Sequence, residues 1–189
     1  MHSIEPYYNW RNLYRAEDDS RSPFYGREYS EFEFTDHIYD HVIHPQWDNF
    51  GSSTLFMKIL FSDYDGGFAV IELIGEWNDL LYNDIMTLKR DIVEHLMYEG
   101  IDKFILVGEN VLNFHASDEE YYAEWFEELD NGWIVGLNFM DHVLAEMVSS
   151  NLDSYINFGG KLQSANWRTY TPANLCAFVN GLMERRLTV

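Results

Sequence analysis

Phe68-Ala69-Val70-Ile71-Glu72-Leu73-Ile74 is the stretch that decides the fold, because it is apolar at six of its seven positions. Aliphatic and aromatic residues at this density favour a strand, and the absence of polar alternation predicts that both faces of that strand are covered. A second β-rich run occupies residues 55–61, and the polar, glycine-containing residues 62–67 between the runs are typical of a hairpin turn. The sequence therefore predicts an antiparallel hairpin whose second strand is central in a sheet.

Strand and helix patterns alternate after this hairpin. A stripe with helical spacing predicts one continuous helix from the cap Asn78 to Gly100, and its members are Leu81, Ile85, Leu88, Ile92 and Leu96. Short strands are predicted at residues 104–107, 133–137 and 155–158. Repeated strand–helix units imply right-handed crossovers. We therefore predict an α/β fold with a mixed, mainly parallel sheet that is led by a β-hairpin and has helices packed on it.

Three further helices are predicted from their starting residues. Ser117 and Glu120 form the pattern of a capping box, and Asp141 stands where a cap would open the following helix. Thr171 followed by Pro172 predicts the start of a C-terminal helix, because proline is favoured at the first helical position.

The residues ahead of the hairpin differ in composition from the rest. Residues 1–30 combine four arginines with many aromatic rings and lack a clear period, so we interpret them as an aromatic and basic N-terminal arm. Residues 31–189 are interpreted as a single α/β domain. Alternation at residues 31–35 predicts a strand with one buried face. Such an arm could pack against the rest of its own chain or against a second copy in a homo-oligomer.

The charge of the chain limits its partners. It carries 32 acidic and 12 basic residues, for a formal net charge of −20. Such a field repels phosphate backbones and anionic lipids, so neither nucleic acid nor a membrane is an expected partner. Residues 104–160 contain eleven acids and no lysine or arginine, which indicates either solvated helix faces or a surface for a basic protein. A single cysteine and the lack of a signal-peptide pattern predict a cytoplasmic protein.

Polar side chains follow the predicted strands in three clusters. Because ligands of open α/β sheets bind beyond the carboxyl ends of parallel strands, we expect these clusters to share one edge. Histidine and carboxylate there would suit a divalent metal or general acid–base chemistry, whereas the same residue types also serve as caps and turns. The clusters are Glu76, Trp77, Asn78 and Asp79; Glu109, Asn110, Asn113 and His115; and Asn138, Asp141 and His142.

Residues 36–44 are compatible with two conformations. As a helix, they would align His37, His41 and His44 on one face, where three imidazoles could bind a divalent transition metal. As a strand continuing from Phe34, they would place His44 opposite the other two histidines, and the triad would not form. The pattern itself leaves both alternatives open.

The order of elements over residues 55–158 resembles the STAS domain of anti-sigma-factor antagonists and its SpoIIAA-like relatives. Ile74-Gly75-Glu76 is similar to the family's strand that ends in Gly-Glu, and the helix and strand that follow it come in the family's order. The family's regulatory turn is Asp-Ser-Ser-Gly, in which a serine is phosphorylated. The corresponding stretch here is His115-Ala116-Ser117-Asp118, in which Ser117 alone matches. The resemblance thus implies Ser117 as the phosphorylated position, and a helix cap is the alternative role.

Two functional expectations follow. The first is a non-enzymatic regulatory or protein-interaction module of STAS-like type, since no glycine-rich phosphate loop, serine-hydrolase elbow or other catalytic motif is found. The alternative is a small-molecule-binding protein or metal-assisted enzyme whose site lies at the carboxyl ends of the parallel strands.

Overall fold

The apolar run that begins at Phe68 forms a central strand of the main sheet. The computed structural model of the protein describes residues 2–188. The strands in this range, in chain order, are β1 (His2–Ile4), β2 (His37–Ile38), β3 (His41–Ile43), β4 (Leu55–Asp63), β5 (Phe68–Asn78), β6 (Lys103–His115), β7 (Trp133–Leu137) and β8 (Ile156–Asn157).

In the described part of the chain, five strands form one mixed sheet in the order β4-β5-β6-β7-β8. Strand β4 pairs antiparallel with β5, whereas β6, β7 and β8 follow in parallel orientation. Strand β5 has a neighbour on each side and is buried almost throughout its length. The predicted α/β class and the mixed, mainly parallel sheet led by a hairpin are therefore confirmed.

The helices join successive strands and then close the fold. They are α1 (Asp79–Tyr82), α2 (Asp84–Thr87), α3 (Glu94–Tyr98), α4 (Glu120–Glu127), α5 (Asp141–Ser149) and α6 (Pro172–Leu187), with a π-helical segment at Leu88–Val93. Helix α6 begins as predicted, because the Thr171 hydroxyl accepts the backbone N–H of Asn174 at 3.2 Å. Among residues 2–188, no helix combines the length and the apolar character that a bilayer crossing requires.

The helix predicted between Asn78 and Gly100 is not continuous. Asn83 adopts the left-handed conformation, with φ of 50° and ψ of 49°, and separates α1 from α2. Asparagine tolerates this conformation better than most residues, because its short side chain is polar and can hydrogen-bond locally. Beyond the break the predicted stripe is buried, but Leu81, ahead of it, is 71% exposed. The single-helix prediction is therefore wrong at its first turn.

The segment ahead of β4 also departs from the predictions. Residues 31–35 form no strand, and both Phe32 and Phe34 are exposed. The alternation of polar and apolar residues was misleading here, because no other element covers the apolar side. Residues 36–44 form neither a helix nor a strand that continues from Phe34. Instead, a turn with Tyr39 at φ 54° joins β2 and β3 into a short antiparallel hairpin. Strand β3 pairs in parallel with β1, which gives a second, small sheet.

The main sheet buries apolar side chains on both faces. On one face, Leu73 and Leu106 belong to a core that includes the inner sides of α2 to α5 and the π-helical segment. On the other, Val70 and Val107 belong to a core that includes α6 and Trp10. This double coverage is what the apolar composition of β5 predicts.

Residues near the start of the chain pack against residues near its end. The rings of Tyr7, Trp10 and Trp167 meet edge to face, with centroid separations of 4.9 Å, 5.4 Å and 5.6 Å. The Tyr7 hydroxyl also donates to the carbonyl oxygen of Arg168 at 3.1 Å, across 161 positions of sequence. Trp10 and Trp167 are buried, so Tyr7 and Trp10 join the core on the α6 side of the sheet.

We predict that Gly75→Ala destabilises the protein by at least about 2 kcal/mol in urea unfolding. Gly75 has φ of 114°, and a Cβ there would lie 2.1 Å from the backbone oxygen of Thr54. Gly26→Ala is the matched control, because Gly26 also has positive φ but a Cβ there would meet nothing within 4 Å. The control should lose only about 1 kcal/mol, and equal losses for the two variants would contradict the steric explanation.

Candidate functional site

Strands β5 and β6 bring polar side chains to one end of the sheet. They run parallel, and their register pairs Glu76 with Asn113 and Asn78 with His115. Strand β6 continues to His115, well beyond the predicted end at residue 107, so its polar residues lie within the strand. The structure therefore joins members of the first two predicted clusters at the carboxyl edge of the sheet.

Glu76 is the centre of a group that we call the strand-end cluster, made of Tyr39, Glu76, Asn78 and His115. The Tyr39 hydroxyl donates to Oε2 of Glu76, and Asn78 Nδ2 donates to Oε1 at 2.9 Å. His115 Nε2 lies 3.5 Å from the same Oε1. Partial burial acts to raise the pKa of Glu76, but the hydrogen bonds from Tyr39 and Asn78 and the proximity of His115 outweigh it and lower the pKa. Both oxygens of this charged carboxylate are thus engaged within the chain.

A buried carboxylate, Asp79, lies next to this cluster at the start of α1. Its Oδ1 accepts from Trp77 Nε1 at 3.0 Å and from the backbone N–H of Ile85 at 2.9 Å. Its Oδ2 accepts the Tyr122 hydroxyl at 2.5 Å. Burial raises the pKa of Asp79 to about 6, although these three hydrogen bonds oppose the shift. Trp77 is fully buried, so it belongs to the core and not to the open edge at which its cluster was predicted.

A second buried carboxylate, Asp84, holds the other side of the helix break. Its Oδ2 accepts the backbone N–H of Asn78 at 2.8 Å, and burial raises its pKa. Asn78 in turn caps α1, because its Oδ1 accepts the N–H of Leu81 at 2.9 Å. Asp79 and Asp84 together fix the path of the chain around Asn83.

Glu109 takes part in a different group from the strand-end cluster. Its Oε1 accepts from the guanidinium of Arg168, and its Oε2 lies 3.5 Å from Trp167 Nε1, on the side of the sheet that α6 covers. Asn110 is half-buried and lies opposite Ile74 in the β5–β6 register. The second predicted cluster is thus divided along β6, because the strand is longer than predicted and its register with β5 shifts twice, between Glu72 and Ile74 and between Gly75 and Glu76.

Glu72 is a fully buried carboxyl group beside Arg168 and Glu109. Its Oε2 accepts the backbone N–H of Tyr7 at 2.8 Å. Its Oε1 lies 4.0 Å from Arg168 Nη2 and has no hydrogen-bond partner among the described residues. Burial raises the pKa of Glu72 to about 7, with a contribution from Glu109, while Tyr7 and Arg168 act in the opposite direction.

The residues of the third predicted cluster have structural roles. Asn138 pins a loop, since its Nδ2 donates to the carbonyl of Ala165 at 2.8 Å and its Oδ1 accepts the N–H of Ala165 at 2.9 Å. The Nε2 atom of His142 lies 2.8 Å from the carbonyl oxygen of Leu112. Asp141 is exposed in the first turn of α5 and does not occupy the predicted cap position.

The three histidines at residues 37–44 share no helical face. His37 is exposed on β2, His41 is half-buried on β3, and His44 follows β3. The Nδ1 atom of His44 accepts the N–H of Gln46 at 3.1 Å, and its Nε2 lies 3.4 Å from Glu5. The helix that would have aligned these imidazoles as metal ligands is not formed.

Within residues 2–188, one group of acidic side chains is compact enough to surround a cation: Glu94, Glu124 and Glu128, with oxygens within 4.8 Å of one another. A cation from the chain itself is already there. Nζ of the fully buried Lys89 lies 3.1 Å, 3.6 Å and 2.7 Å from these three carboxylates, respectively. Burial alone would lower the pKa of Lys89, but its hydrogen bonds to Glu128 and Glu94 raise it. We therefore interpret this group as an internal ion cluster.

Ser117 is exposed in the connection between β6 and α4. Helix α4 begins after Glu119, and the N–H of Glu120 is accepted by Asp118 Oδ1 at 3.3 Å. The predicted capping box of Ser117 and Glu120 is therefore wrong, because the chain enters the helix two residues later than the pattern suggests.

Several residues at these sites were not singled out from the sequence. Glu72 had a visible signal, since it is the one polar residue in the otherwise apolar run at residues 68–74. Tyr39, Asp84 and Arg168 had none, because their roles depend on a turn, a helix break and a long-range contact.

No protein-family model matches the chain, and no curated protein resembles it significantly in sequence.

We predict that Glu72→Gln makes the protein more stable at pH 8 than the unmodified chain. The pKa of Glu72 is about 7 in the fold against an ordinary 4.5, so the folded state retains a proton that the unfolded state has already released. The free energy of unfolding contributed by this group is present below pH 4.5 and falls by about 3 kcal/mol as the pH rises to about 7 and above.

The measurement is urea unfolding of both proteins from pH 4.5 to pH 8. Glu72→Gln should remove this part of the pH dependence, whereas Glu31→Gln, at an exposed position, should leave it unchanged. Parallel pH profiles for the unmodified chain and Glu72→Gln would contradict the burial of a titrating carboxyl group.

Proposed function

We propose that the chain is a non-enzymatic protein-interaction module of STAS-like type that binds its partner at the carboxyl edge of β5 and β6. One observation carries the proposal: Leu80, Leu81 and Asp118 are exposed next to this edge, while the carboxylate of Glu76 is engaged within the chain. The hairpin-led sheet followed by strand–helix units supports the resemblance on which the STAS-like assignment rests.

The side chains of the edge argue against a reaction centre. A general acid or base must reach a substrate proton directly or through one water. Glu76 is occupied by Tyr39 and Asn78, and His142 is hydrogen-bonded to a backbone carbonyl. Both oxygens of Glu76 thus already accept hydrogen bonds from within the chain, and neither is free to take a proton from a substrate.

Unpaired acids on α4 and just ahead of it favour a basic partner. Asp118, Glu120 and Glu127 are exposed on or just ahead of α4, and none of them forms an ion pair with a described residue. Complementary charge accelerates encounter and suppresses wrong partners more than it adds affinity. A partner with lysine or arginine at its contact surface fits this arrangement.

The test is affinity purification of the full tagged chain from the cells that produce it, followed by native mass spectrometry. We expect a protein partner in a fixed ratio to the chain. A triple variant, Asp118→Asn, Glu120→Gln and Glu127→Gln, should lose most of that partner because it removes three unpaired charges. The matched triple variant Glu31→Gln, Glu33→Gln and Asp36→Asn changes exposed acids elsewhere and should retain it.

Recovery of the chain without a protein partner but with a tightly bound small molecule would contradict the proposal and favour the ligand-binding alternative. Equal partner loss in both triple variants would contradict the role of the α4 acids.

A further inference from the structure

Helix α1 and the start of α2 expose a group of apolar side chains beside the strand-end cluster. Leu80 is 66%, Leu81 is 71% and Tyr82 is 47% exposed, and Met86 on α2 is exposed as well. We call these four residues the α1 patch. A single exposed leucine needs no explanation, but adjacent large apolar side chains on one surface element mark a contact site.

The exposure of the α1 patch is imposed by buried contacts and does not result from fraying. Asp79 and Asp84 accept backbone N–H groups from Ile85 and Asn78, respectively, and these bonds hold both sides of the break at Asn83. Asn83 stays in the left-handed conformation, which persists for a non-glycine residue where its surroundings determine it. A helix continued through this point would have turned Leu81 onto the buried stripe. The fold thus keeps the leucines outside.

Acidic residues lie on the elements that adjoin α1. The β5–β6 register pairs Asn78, the cap of α1, with His115, so the connection that carries Asp118 starts at the same edge. The bond from Tyr122 to Asp79 ties the start of α4 to α1. The nearest basic side chains along α2 and the π-helical segment are neutralised, since Lys89 and Arg90 are ion-paired with glutamates.

We propose that the α1 patch is the docking surface for a partner segment that presents apolar side chains flanked by lysine or arginine. This inference rests on the proposed function and specifies its partner. Apolar anchors would cover Leu80 and Leu81, and the flanking cations would meet the acids at the start of α4. Anchors that bury large apolar side chains supply most of the binding energy, while rim charges set specificity.

The charges argue against the other occupants of such a patch. A second copy would bring a net charge of −20 against the same sign. Three of the four arginines of its basic arm, Arg15, Arg21 and Arg27, are already ion-paired within their own chain. A membrane with anionic headgroups is disfavoured for the same reason.

The test uses the full chain and a fluorescein-labelled synthetic helical peptide with leucine on one face and lysine on the other. Binding is followed by fluorescence anisotropy. We expect saturable one-to-one binding that Leu80→Ser and Leu81→Ser each weaken by about tenfold. Tyr98→Ser is the matched control, because Tyr98 is exposed but lies outside the α1 patch, and it should change the dissociation constant by less than about twofold. Circular dichroism should show unchanged folding, since the substituted leucines are exposed.

The inference would be overturned by equal binding of the peptide to Leu81→Ser and to the unmodified chain, by a dimer in light scattering that Leu81→Ser dissociates, or by patch-dependent sedimentation with phosphatidylcholine vesicles. A peptide with glutamate in place of lysine should not bind, and binding of that peptide would also overturn it. If the cellular partner is retained by Leu81→Ser but lost by the α4 triple variant, the docking surface is wrong and the proposed function stands. If no partner is recovered from cells at all, the proposed function fails.

Discussion

Strand β5 is covered on both faces, and this constraint decides where the polar groups at the centre of the molecule find their partners. A polar side chain on such a strand cannot reach water, so it must be satisfied by whatever layer lies over it. Glu72 accepts a hydrogen bond from the backbone N–H of Tyr7 and lies near the guanidinium of Arg168. At the end of the strand, Glu76 accepts a hydrogen bond from Tyr39 of the small sheet, and Asp79 accepts one from Tyr122 of α4. The layers on both sides of the sheet are thus tied to one strand.

The same constraint links the sheet to the surface beyond it. Where β5 ends, Asn78 and Asp79 are still buried, and their side chains hold the first helical residues in place. The leucines that follow are outside because the carboxylates behind them are inside. The buried carboxylates and the exposed leucines therefore have the same cause, which is the path of the chain at the end of β5.

The elements that the sequence predicted well are those whose pattern reflects local burial. The hairpin, β7 and the start of α6 at Thr171 rest on dense apolar runs or on a cap, and they form as expected. The break at Asn83 was not predictable from periodicity, because Leu81 fits the helical stripe that its neighbours follow. The break depends on buried hydrogen bonds to Asp79 and Asp84, so packing and not periodicity determines where the helix is interrupted. The strand predicted at residues 31–35 failed for the converse reason, since a regular pattern had no layer to pack against.

Prediction of the candidate site was correct in part for the same physical reasons. The rule that parallel strands gather their ends at one edge brought Glu76, Asn78, Asn113 and His115 together. That rule does not say which face of β6 each residue occupies, and the length of β6 was underestimated. Glu109 was therefore assigned to the wrong group. Tyr39 enters the site from a turn in the other sheet, which no pattern within β5 or β6 reveals.

The packing of Tyr7 and Trp10 against Trp167 affects how the chain acquires its structure during synthesis. Residues 7–10 leave the ribosome well before the segment that contacts them, because 161 positions separate Tyr7 from its hydrogen-bond acceptor Arg168. Until that segment emerges, the aromatic side chains have no native surface to cover them, and contacts of such long range form slowly. A nascent chain therefore completes the α6 side of its sheet late, and its early aromatic segment is the part that a chaperone would shield.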